Sequence, residues 1–502
     1  MSFNTLTAVE IAKGSDSRLD SAYPTAPFNP PRHYPEFTGS GLDQTLDANN
    51  QVYDQVRCLF KRMEMDLENM DTGQWRPFRH LIDPGGKVTI KPNLVFHEHP
   101  LGEPGFLSMV THASIIRPII DYLILSTQGD VEITICDAPL QSADLKKILR
   151  GNGLRELLAY YESTNASVRF NDIRWEVSEL DDEGLIVSRV PGERDRKGYA
   201  VVDLGNRSAF TPIIEKSSQL EITDYPSGTV AKHHNAEKNE YLIGKSILDC
   251  DLFINVPKLK THRKAGITVA MKNLIGINGD KSWIAHHRSG STLSGGDEFD
   301  HFRPVEYFKW HLNARLKTTT AGLVVNRALR KIYRSLFWRG QSIKERQYQD
   351  DKLTGVMEGS WSGNDTLWRT ILDLNHIILF ADAGGQLHDE PQRHYLAIVD
   401  GIMAGEQNGP MEHQPRNDGI LIGGFNPVAV DYTAARVMRL NWQMIPQIAR
   451  AIQNKFYPLF DFEIDEVVIK SAFNIDEIPV TPFKVPKGWA VLELPSSESD
   501  AA

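Results

Sequence analysis

Cysteine is scarce in this sequence, with three among 502 residues. Cys58, Cys136 and Cys250 lie far apart and form no CxxC pair, so we expect neither a zinc ribbon nor an iron–sulfur cluster. No apolar run approaches the roughly 20 residues of a membrane-spanning helix, and the first residues lack the pattern of a secretory signal. A soluble, cytoplasmic protein is therefore expected.

Positive charge is also in the minority. The sequence has 55 Lys and Arg against 65 Asp and Glu, for a formal net charge of -10. A general nucleic-acid binder needs a net basic face, so we expect no nucleic-acid partner. The 41% hydrophobic and 24% charged content is that of an ordinary globular protein.

Strand-like and helix-like segments alternate along most of the chain. This alternation predicts an α/β fold with a largely parallel sheet and helices on both faces, preceded by a proline-rich extended arm over residues 1–50. In such sheets, ligands bind outside the carboxyl ends of the strands. The predicted strands are Val88–Lys91, Val131–Cys136, Asp251–Val256, His376–Phe380, Tyr395–Val399 and Ile420–Ile422; the main predicted helices are His112–Ser126, Thr366–Leu374 and Pro427–Met438, with helix-like spacing also over Tyr241–Asp249.

A basic segment divides the fold into two parts. We predict an α/β half over residues 51–310, a basic helical insertion over 311–350, a second α/β half over 351–490 and a tail over 491–502. Between residues 315 and 346 there are nine basic residues and one acid, with apolar residues at helical spacing. Such a helix either packs on its own protein with a solvated basic face or makes peripheral contact with an anionic membrane.

The most unusual stretch runs from Asn255 to His287. It carries nine Lys, Arg and His residues in 33 positions, and Asp280 is its single acid. Because like charges repel unless an anion offsets them, this stretch predicts a binding site for a carboxylate- or phosphate-bearing molecule. Its candidate binding residues are Lys258, Lys260 and Asn273, and its imidazoles can act as acid/base groups or as metal ligands.

Two other stretches place polar residues where a ligand could reach them. Lys91 and Asn93 close the first predicted strand, and Lys91 either binds the ligand or pairs with a nearby carboxylate. Asn364, Asp365 and Arg369 precede or begin a predicted helix, so they either bind the substrate or serve as ordinary capping groups.

Three sequence blocks resemble one known family. The blocks IKPN, NVPKLKTHRKAGITVAMKNLIG and IVDGIMAGEQNGP followed by GILIGGFNPVAVD stand in the order found in the domain of unknown function 362 family. They bracket roughly residues 85–450. Many members of that family carry an appended iron–sulfur segment, for which this chain has no cysteines.

The middle block is also similar, more distantly, to the site of the nickel-pincer lactate racemases. By this resemblance His262 is an acid/base group, Lys272 a cofactor-holding or catalytic lysine ten residues later, and His286 and His287 are metal ligands. Where that family has a second catalytic histidine, this chain offers Asp137 as the candidate catalytic group. The resemblance implies a transition metal as candidate cofactor.

Two functions remain open at this point. The first is an isomerase-like or metal-assisted acid/base enzyme acting on a small anionic substrate. The second is a non-catalytic binding protein for a phosphorylated or lipid-linked saccharide at a membrane surface. The sequence leaves the oligomeric state open.

Overall fold

A computed structural model of the chain describes residues 5–11, 23–40, 42, 45–180, 186–223, 225–301, 358–453 and 458–494, with isolated positions between 302 and 357. The strands are β1 Leu6–Ile11, β2 Gly86–Pro92, β3 Val131–Asp137, β4 Val168–Asp172, β5 Glu176–Leu180, β6 Ile186–Pro191, β7 Tyr199–Asp203, β8 Leu220–Glu221, β9 Glu240–Gly244, β10 Leu252–Val256, β11 Lys258–His262, β12 Gly266–Thr268, β13 His287–Arg288, β14 His394–Asn408, β15 Glu412–Gly424 and β16 Val468–Lys470. The α-helices are α1 Gln51–Arg62, α2 Gly102–Met109, α3 Ala113–Ser126, α4 Leu145–Gly151, α5 Leu154–Ser163, α6 Lys245–Leu248, α7 Ala270–Asn273, α8 Leu367–Phe380, α9 Pro427–Val437 and α10 Pro446–Gln453.

One large mixed sheet organises the fold. Within the described residues, ten strands form it in the order β16-β1-β15-β14-β10-β2-β3-β4, with β11 and β12 attached beside β14. Strands β14, β10, β2, β3 and β4 are parallel to one another, whereas β15 runs antiparallel to both β14 and β1. The two predicted α/β halves therefore contribute strands to the same sheet.

Two hydrophobic cores lie on opposite faces of this sheet. Alternate residues of a strand point to opposite faces, so Phe253 of β10 packs in one core while Ile254 packs in the other. Helices α8, α9 and α10 cover the first core, and α1, α3 and α5 cover the second. This arrangement confirms the predicted α/β class with helices on both faces.

Three segments differ from the sequence prediction. His376–Phe380 was predicted as a strand but forms the last part of α8; a short apolar run cannot by itself distinguish a strand from a buried helix. Tyr241–Asp249 has helix-like spacing in the sequence, but the structure shows strand β9 followed by the single turn of α6. Strand β1 lies inside the segment predicted to be an extended arm.

The predicted basic helix over 315–346 lies outside the described residues, apart from isolated positions. Among the helices that the structure describes, none is by itself long and apolar enough to cross a membrane. Helices α2 and α3 pass that test of length and composition only when taken together as a bent pair.

Candidate functional site

Strand β11 carries the candidate site, and it begins just after the carboxyl end of β10. Its alternate residues Lys258, Lys260 and His262 lie on one face of the strand, because successive side chains point to opposite faces. Within the sheet, Asn255 of β10 is directly opposite Lys91 of β2. The carboxyl ends of the central strands therefore meet beside β11, as the parallel arrangement predicts.

Lys91 and Asp137 form a buried ion pair at this edge. Lys91 Nζ lies 2.7 Å from Asp137 Oδ1 and donates to Asn273 Oδ1 at 3.2 Å. Asp137 Oδ2 accepts the backbone N–H of Leu94 at 2.8 Å. Asn273 in turn donates to Asn255 Oδ1 at 2.7 Å. These predicted site residues thus form a structural base under the site, and Lys91 has the carboxylate partner that was the open alternative.

Gly276 allows the 3-10 helix Leu274–Ile277, which follows α7, to approach this pair closely. A Cβ atom at Gly276 would lie 2.0 Å from Asp137 Oδ1 and 2.6 Å from Lys91 Nζ. We expect Gly276→Ala to lower the free energy of unfolding by about 1–3 kcal/mol, the usual cost of overpacking. Urea unfolding measures this loss. Gly73→Ala is the matched control, since its added methyl would come no closer than 3.5 Å to another residue, and an equal loss in both variants would contradict the packing argument.

Lys258 belongs to a second buried network. Its Nζ donates to Asp400 Oδ2 at 3.0 Å and to the Tyr23 hydroxyl at 2.6 Å. Tyr23 donates to Asp400 Oδ1 at 2.7 Å, and its ring stacks on His112 at 4.0 Å between ring centroids. Burial and then the charge of Lys258 lower the pKa of His112 to about 3, so this imidazole is neutral. Lys258 is thus held in a closed network that the sequence did not indicate, because Tyr23 comes from the predicted arm.

Three further lysines have no carboxylate partner among the described residues. Lys260 donates to the Met109 carbonyl at 2.6 Å, and Lys281 donates to the carbonyls of Ile275 at 2.7 Å and Asn278 at 3.1 Å. The Lys272 side chain has neither a hydrogen bond nor an ion pair within the described part of the chain. Its side chain keeps partial access to solvent, whereas Lys260 is fully buried.

Lys272 lies at the centre of this group of cations. Burial, followed by the charges of Lys264 and Lys91, lowers the pKa of Lys272 to about 7. Its own charge contributes, after burial, to lowering the pKa of Lys260 and of His262. A lysine ammonium surrounded by cations and without an acidic partner is the arrangement expected of a binding site for an anion.

The pKa of Lys272 predicts how stability changes with pH. Below pH 7 this lysine is charged in both the folded and the unfolded chain, so the folded state bears the full cost of the buried charge. Between pH 7 and its ordinary value of 10.5 the unfolded chain binds more protons, so stability rises with pH by at most about 1.4 kcal/mol per unit. We expect Lys272→Met to remove this part of the rise. Urea unfolding of both proteins across about pH 6–9 tests it, and equal slopes would contradict the assignment.

His262 is buried and its neutral tautomer is defined by a backbone contact. Its Nδ1 accepts the Lys264 N–H at 3.0 Å, so the ring proton is on Nε2. Burial, and then Lys272 and Lys260, lower its pKa well below the ordinary value. A neutral imidazole with this tautomer donates a hydrogen bond from Nε2 but has no free lone pair with which to accept a proton. The geometry therefore favours Lys272 over His262 as the proton-transfer group.

His286 and His287 follow α7, and His286 keeps partial exposure near Lys272 and Lys264. Within the ranges described above, no group of three or more His, Cys, Asp or Glu side chains could hold a metal ion. The described residues thus do not form a ligand set for a transition metal, and we assign no chemical step to one. The metal role of these histidines stays a prediction from the resemblance.

The remaining predicted binding residues lie at the start of α8 and after β2. Asn364 Oδ1 accepts the N–H groups of Thr366 and Leu367, and Asp365 pairs with Arg369 at 3.1 Å. These contacts are those of a helix start, which was the alternative left open. The Asn93 backbone N–H donates to Thr111, and its side-chain Oδ1 is buried without a hydrogen-bond partner in the described ranges.

Several residues near the site were not among the predicted catalytic, binding or metal-ligating residues. His99 and His413 lie near Lys260, and the charge of Lys260 is the second cause, after burial, that lowers the pKa of each ring. Asp431 accepts the backbone N–H of Ala270 at 2.7 Å and so positions the short helix that carries Lys272. Burial raises the pKa of Asp431 to about 8.

The fold and the site define an α/β protein with a cluster of cations at the carboxyl edge of its sheet. Residues 177–436 match the family described as a domain of unknown function (DUF362), and the chain belongs to this family. It is also similar, at 21% identity over 248 residues, to a thylakoid-associated protein of Synechocystis sp., with 49% of this chain and 50% of that protein covered. The chain therefore spans about half the length of this curated relative.

One solved structure is similar at a lower level. It is the crystal structure of a protein from Thermotoga maritima, with 10% sequence identity and a TM-score of 0.29. The match covers 76% of this chain and 58% of that one.

Proposed function

We propose that this chain is an enzyme that binds a small carboxylate- or phosphate-bearing molecule at Lys272 and transfers a proton on it. One observation carries the proposal: Lys272 has no partner in the described part of the chain although it lies among other cations. A lysine whose pKa is lowered to about 7 is present in both protonation states near neutral pH, which suits a general acid/base group.

The chemistry follows from the charges. The anionic group of the substrate is attracted by the cations around Lys272, among them Lys264 and Lys91, whose charges lower the pKa of Lys272. Neutral Lys272 Nζ takes a proton from the carbon next to the acidic or carbonyl group. The electron pair of the broken C–H bond stays on the substrate as an enolate, whose added negative charge the ammonium groups stabilise. Lys272 then returns a proton to the same carbon.

His262 has a supporting role in this scheme. Because its Nδ1 is occupied by the Lys264 N–H, its Nε2–H is a donor that can orient an oxygen of the substrate. Lys91, Asp137 and Asn273 hold the base of the site by their mutual contacts.

Proton exchange in D2O tests the proposal. The purified protein is incubated with a panel of small 2-hydroxy acids, 2-oxo acids and phosphorylated sugars, and the loss of C–H signals is followed by proton NMR. We expect exchange into at least one compound that also binds in a calorimetric titration. Binding without exchange for every compound would contradict the enzyme and support the non-catalytic binding protein. Neither binding nor exchange would contradict the anion site itself.

The binding alternative has one observation in its favour. The related Synechocystis protein is named for its association with thylakoids, and the segment 315–346 of this chain has nine basic residues against one acid. A non-catalytic protein that holds a phosphorylated or lipid-linked saccharide at an anionic membrane would use both features.

A further inference from the structure

A second group of donors lies on the buried side of the site. Lys260 is fully buried, and of its three N–H donors one is used, by the Met109 carbonyl at 2.6 Å. Thr268 is the residue opposite Lys260 in the antiparallel pair of β11 and β12, so both side chains leave the hairpin on the same face. Thr268 is 3% exposed, and its hydroxyl has no hydrogen-bond partner in the described ranges.

Two histidines complete this inner group. His99 is 5% exposed, and its Nδ1 accepts the Leu101 N–H at 3.1 Å, which leaves the proton on Nε2. That Nε2 is buried and has no partner among the described residues. The Nε2 of His413 lies 3.1 Å from the Thr261 carbonyl and donates to it, so its buried Nδ1 is left as an acceptor, also without a partner in those ranges.

The unused hydrogen-bond donors and acceptors of this inner group indicate which kind of ligand it could bind. Buried polar groups almost always have hydrogen-bond partners, and each one left without costs free energy. The inner group presents the amine of Lys260, an imidazole N–H and a hydroxyl as donors, whereas its acceptors are the Nδ1 of His413 and the same hydroxyl. An anion bound beside Lys260 favours the protonated amine and offsets the burial that lowers its pKa. A set so rich in donors is complementary to an oxygen-rich anionic group and less so to a neutral one.

The inner group adjoins the surroundings of Lys272. The charge of Lys260 lowers the pKa of His99 and His413, and the charge of Lys272 lowers the pKa of Lys260 itself, of His286 and of Lys281. His262 lies on the same face of β11 as Lys260, and both lysines lower its pKa. Lys272 and His286 keep partial access to solvent, while Lys260, His99 and Thr268 are buried, so the site has an open and a closed end.

We propose that Lys260, His99 and Thr268 form a second acid-binding subsite, so that the molecule held at Lys272 carries two acidic groups. This inference rests on the proposed function and names its substrate class. A small diacid places one carboxylate at the open end, at Lys272, and the other at the closed end, at Lys260. His262, on the same face of β11 as Lys260, donates to an oxygen of the connecting part of the molecule.

Calorimetric titration of the full-length protein tests the subsite. The probes are the dicarboxylates malonate, succinate and glutarate. Each is compared with the monocarboxylates acetate, propionate and butyrate. We expect at least one diacid to bind roughly 10-fold or more tightly than every monoacid, the gain from hydrogen bonds to a second charged group. Equal affinities of the two classes would overturn the subsite, with ordered water as the occupant, and would leave the anion site at Lys272 standing.

A conservative variant separates the subsite from general effects on folding. Thr268→Val removes one hydroxyl and preserves the shape of the side chain, and we expect it to lower the ratio of diacid to monoacid affinity several-fold. Thr164→Val is the matched control, because the Thr164 hydroxyl donates to the Tyr161 carbonyl at the end of α5. An unchanged ratio in Thr268→Val would overturn the role of Thr268. Weaker binding of both diacids and monoacids by Lys272→Met than by the wild type would support the outer site independently of the inner one.

Discussion

Lys272→Met slows proton exchange into the bound acid by roughly 10²–10⁴-fold, the effect expected when an acid/base group is lost. Methionine fills a similar volume but carries neither the charge nor the proton. Because the Lys272 side chain has no hydrogen bond or ion pair within the described residues that its removal would break, we expect the variant to fold. The measurement is the rate of deuterium incorporation by NMR, with circular dichroism to confirm the fold.

Lys272→Arg separates the role of the positive charge from the role of the transferable proton. Arginine keeps the positive charge but does not lose its proton in proteins, so it can attract the anion without acting as a base. We expect Lys272→Arg to retain acid binding in calorimetry and to lose exchange, whereas Lys272→Met weakens binding and slows exchange. Lys146→Met, at an exposed lysine of α4, is the control and should change neither. An exchange rate that survives in Lys272→Arg would show that another group transfers the proton.

Asp400→Ala lowers the free energy of unfolding by about 3–5 kcal/mol, the cost of leaving a buried charge without its partner. Asp400 is fully buried and accepts from Lys258 at 3.0 Å, from Tyr23 at 2.7 Å and from the backbone N–H groups of His112 at 3.0 Å and Ile402 at 3.2 Å. Urea unfolding at pH 7 measures the loss. The substitution removes the acceptor of all four donors and leaves Lys258 with the Tyr23 hydroxyl but without a carboxylate.

Two controls identify the buried charge as the cause of this loss. Asp476→Ala removes the exposed partner of Arg436 and should cost about 0–1 kcal/mol, as expected of a surface pair. The double variant Lys258→Met with Asp400→Leu removes both charges and should regain most of the stability, since apolar replacement of a buried pair is often neutral. A double variant as unstable as Asp400→Ala would show that the hydrogen bonds to Tyr23 and His112 dominate.

The sequence predicted the sheet edge because the relevant signals are local. The apolar runs that form β2, β3 and β10 are short and continuous, and each is followed by polar residues at its carboxyl end. Since parallel strands end at the same edge, Lys91, Asp137 and Lys258 had to lie near one another. The cationic stretch from Asn255 was likewise visible, because its excess of charge is a property of adjacent residues.

Several contacts at the site join residues that are far apart in the chain, so the sequence could not indicate them. Tyr23 and Asp400 are separated by 377 positions, and no periodicity links a tyrosine in a proline-rich segment to the middle of β14. His99 and His413 approach Lys260 only through the tertiary fold. Conversely, Asn364 and Arg369 have polar side chains suited to a ligand, yet their hydrogen bonds are local. Asn364 accepts a backbone N–H at the start of α8, and Arg369 donates to the carbonyl of Asp365.

The strand order also bears on how the chain folds as it leaves the ribosome. Strand β14 lies between β10 and β15, and β1 is bordered by β15 and β16, so β1 pairs with strands that are synthesised much later. Until residues 394–424 have emerged, β10 has an unpaired edge next to the cationic segment that follows it, and β1 lacks both of its partners among the described strands. Such pairing between distant segments folds slowly and leaves strand edges exposed to aggregation in the meantime. We therefore expect ribosome-bound chains that stop before residue 394 to be sensitive to protease and to need chaperone protection.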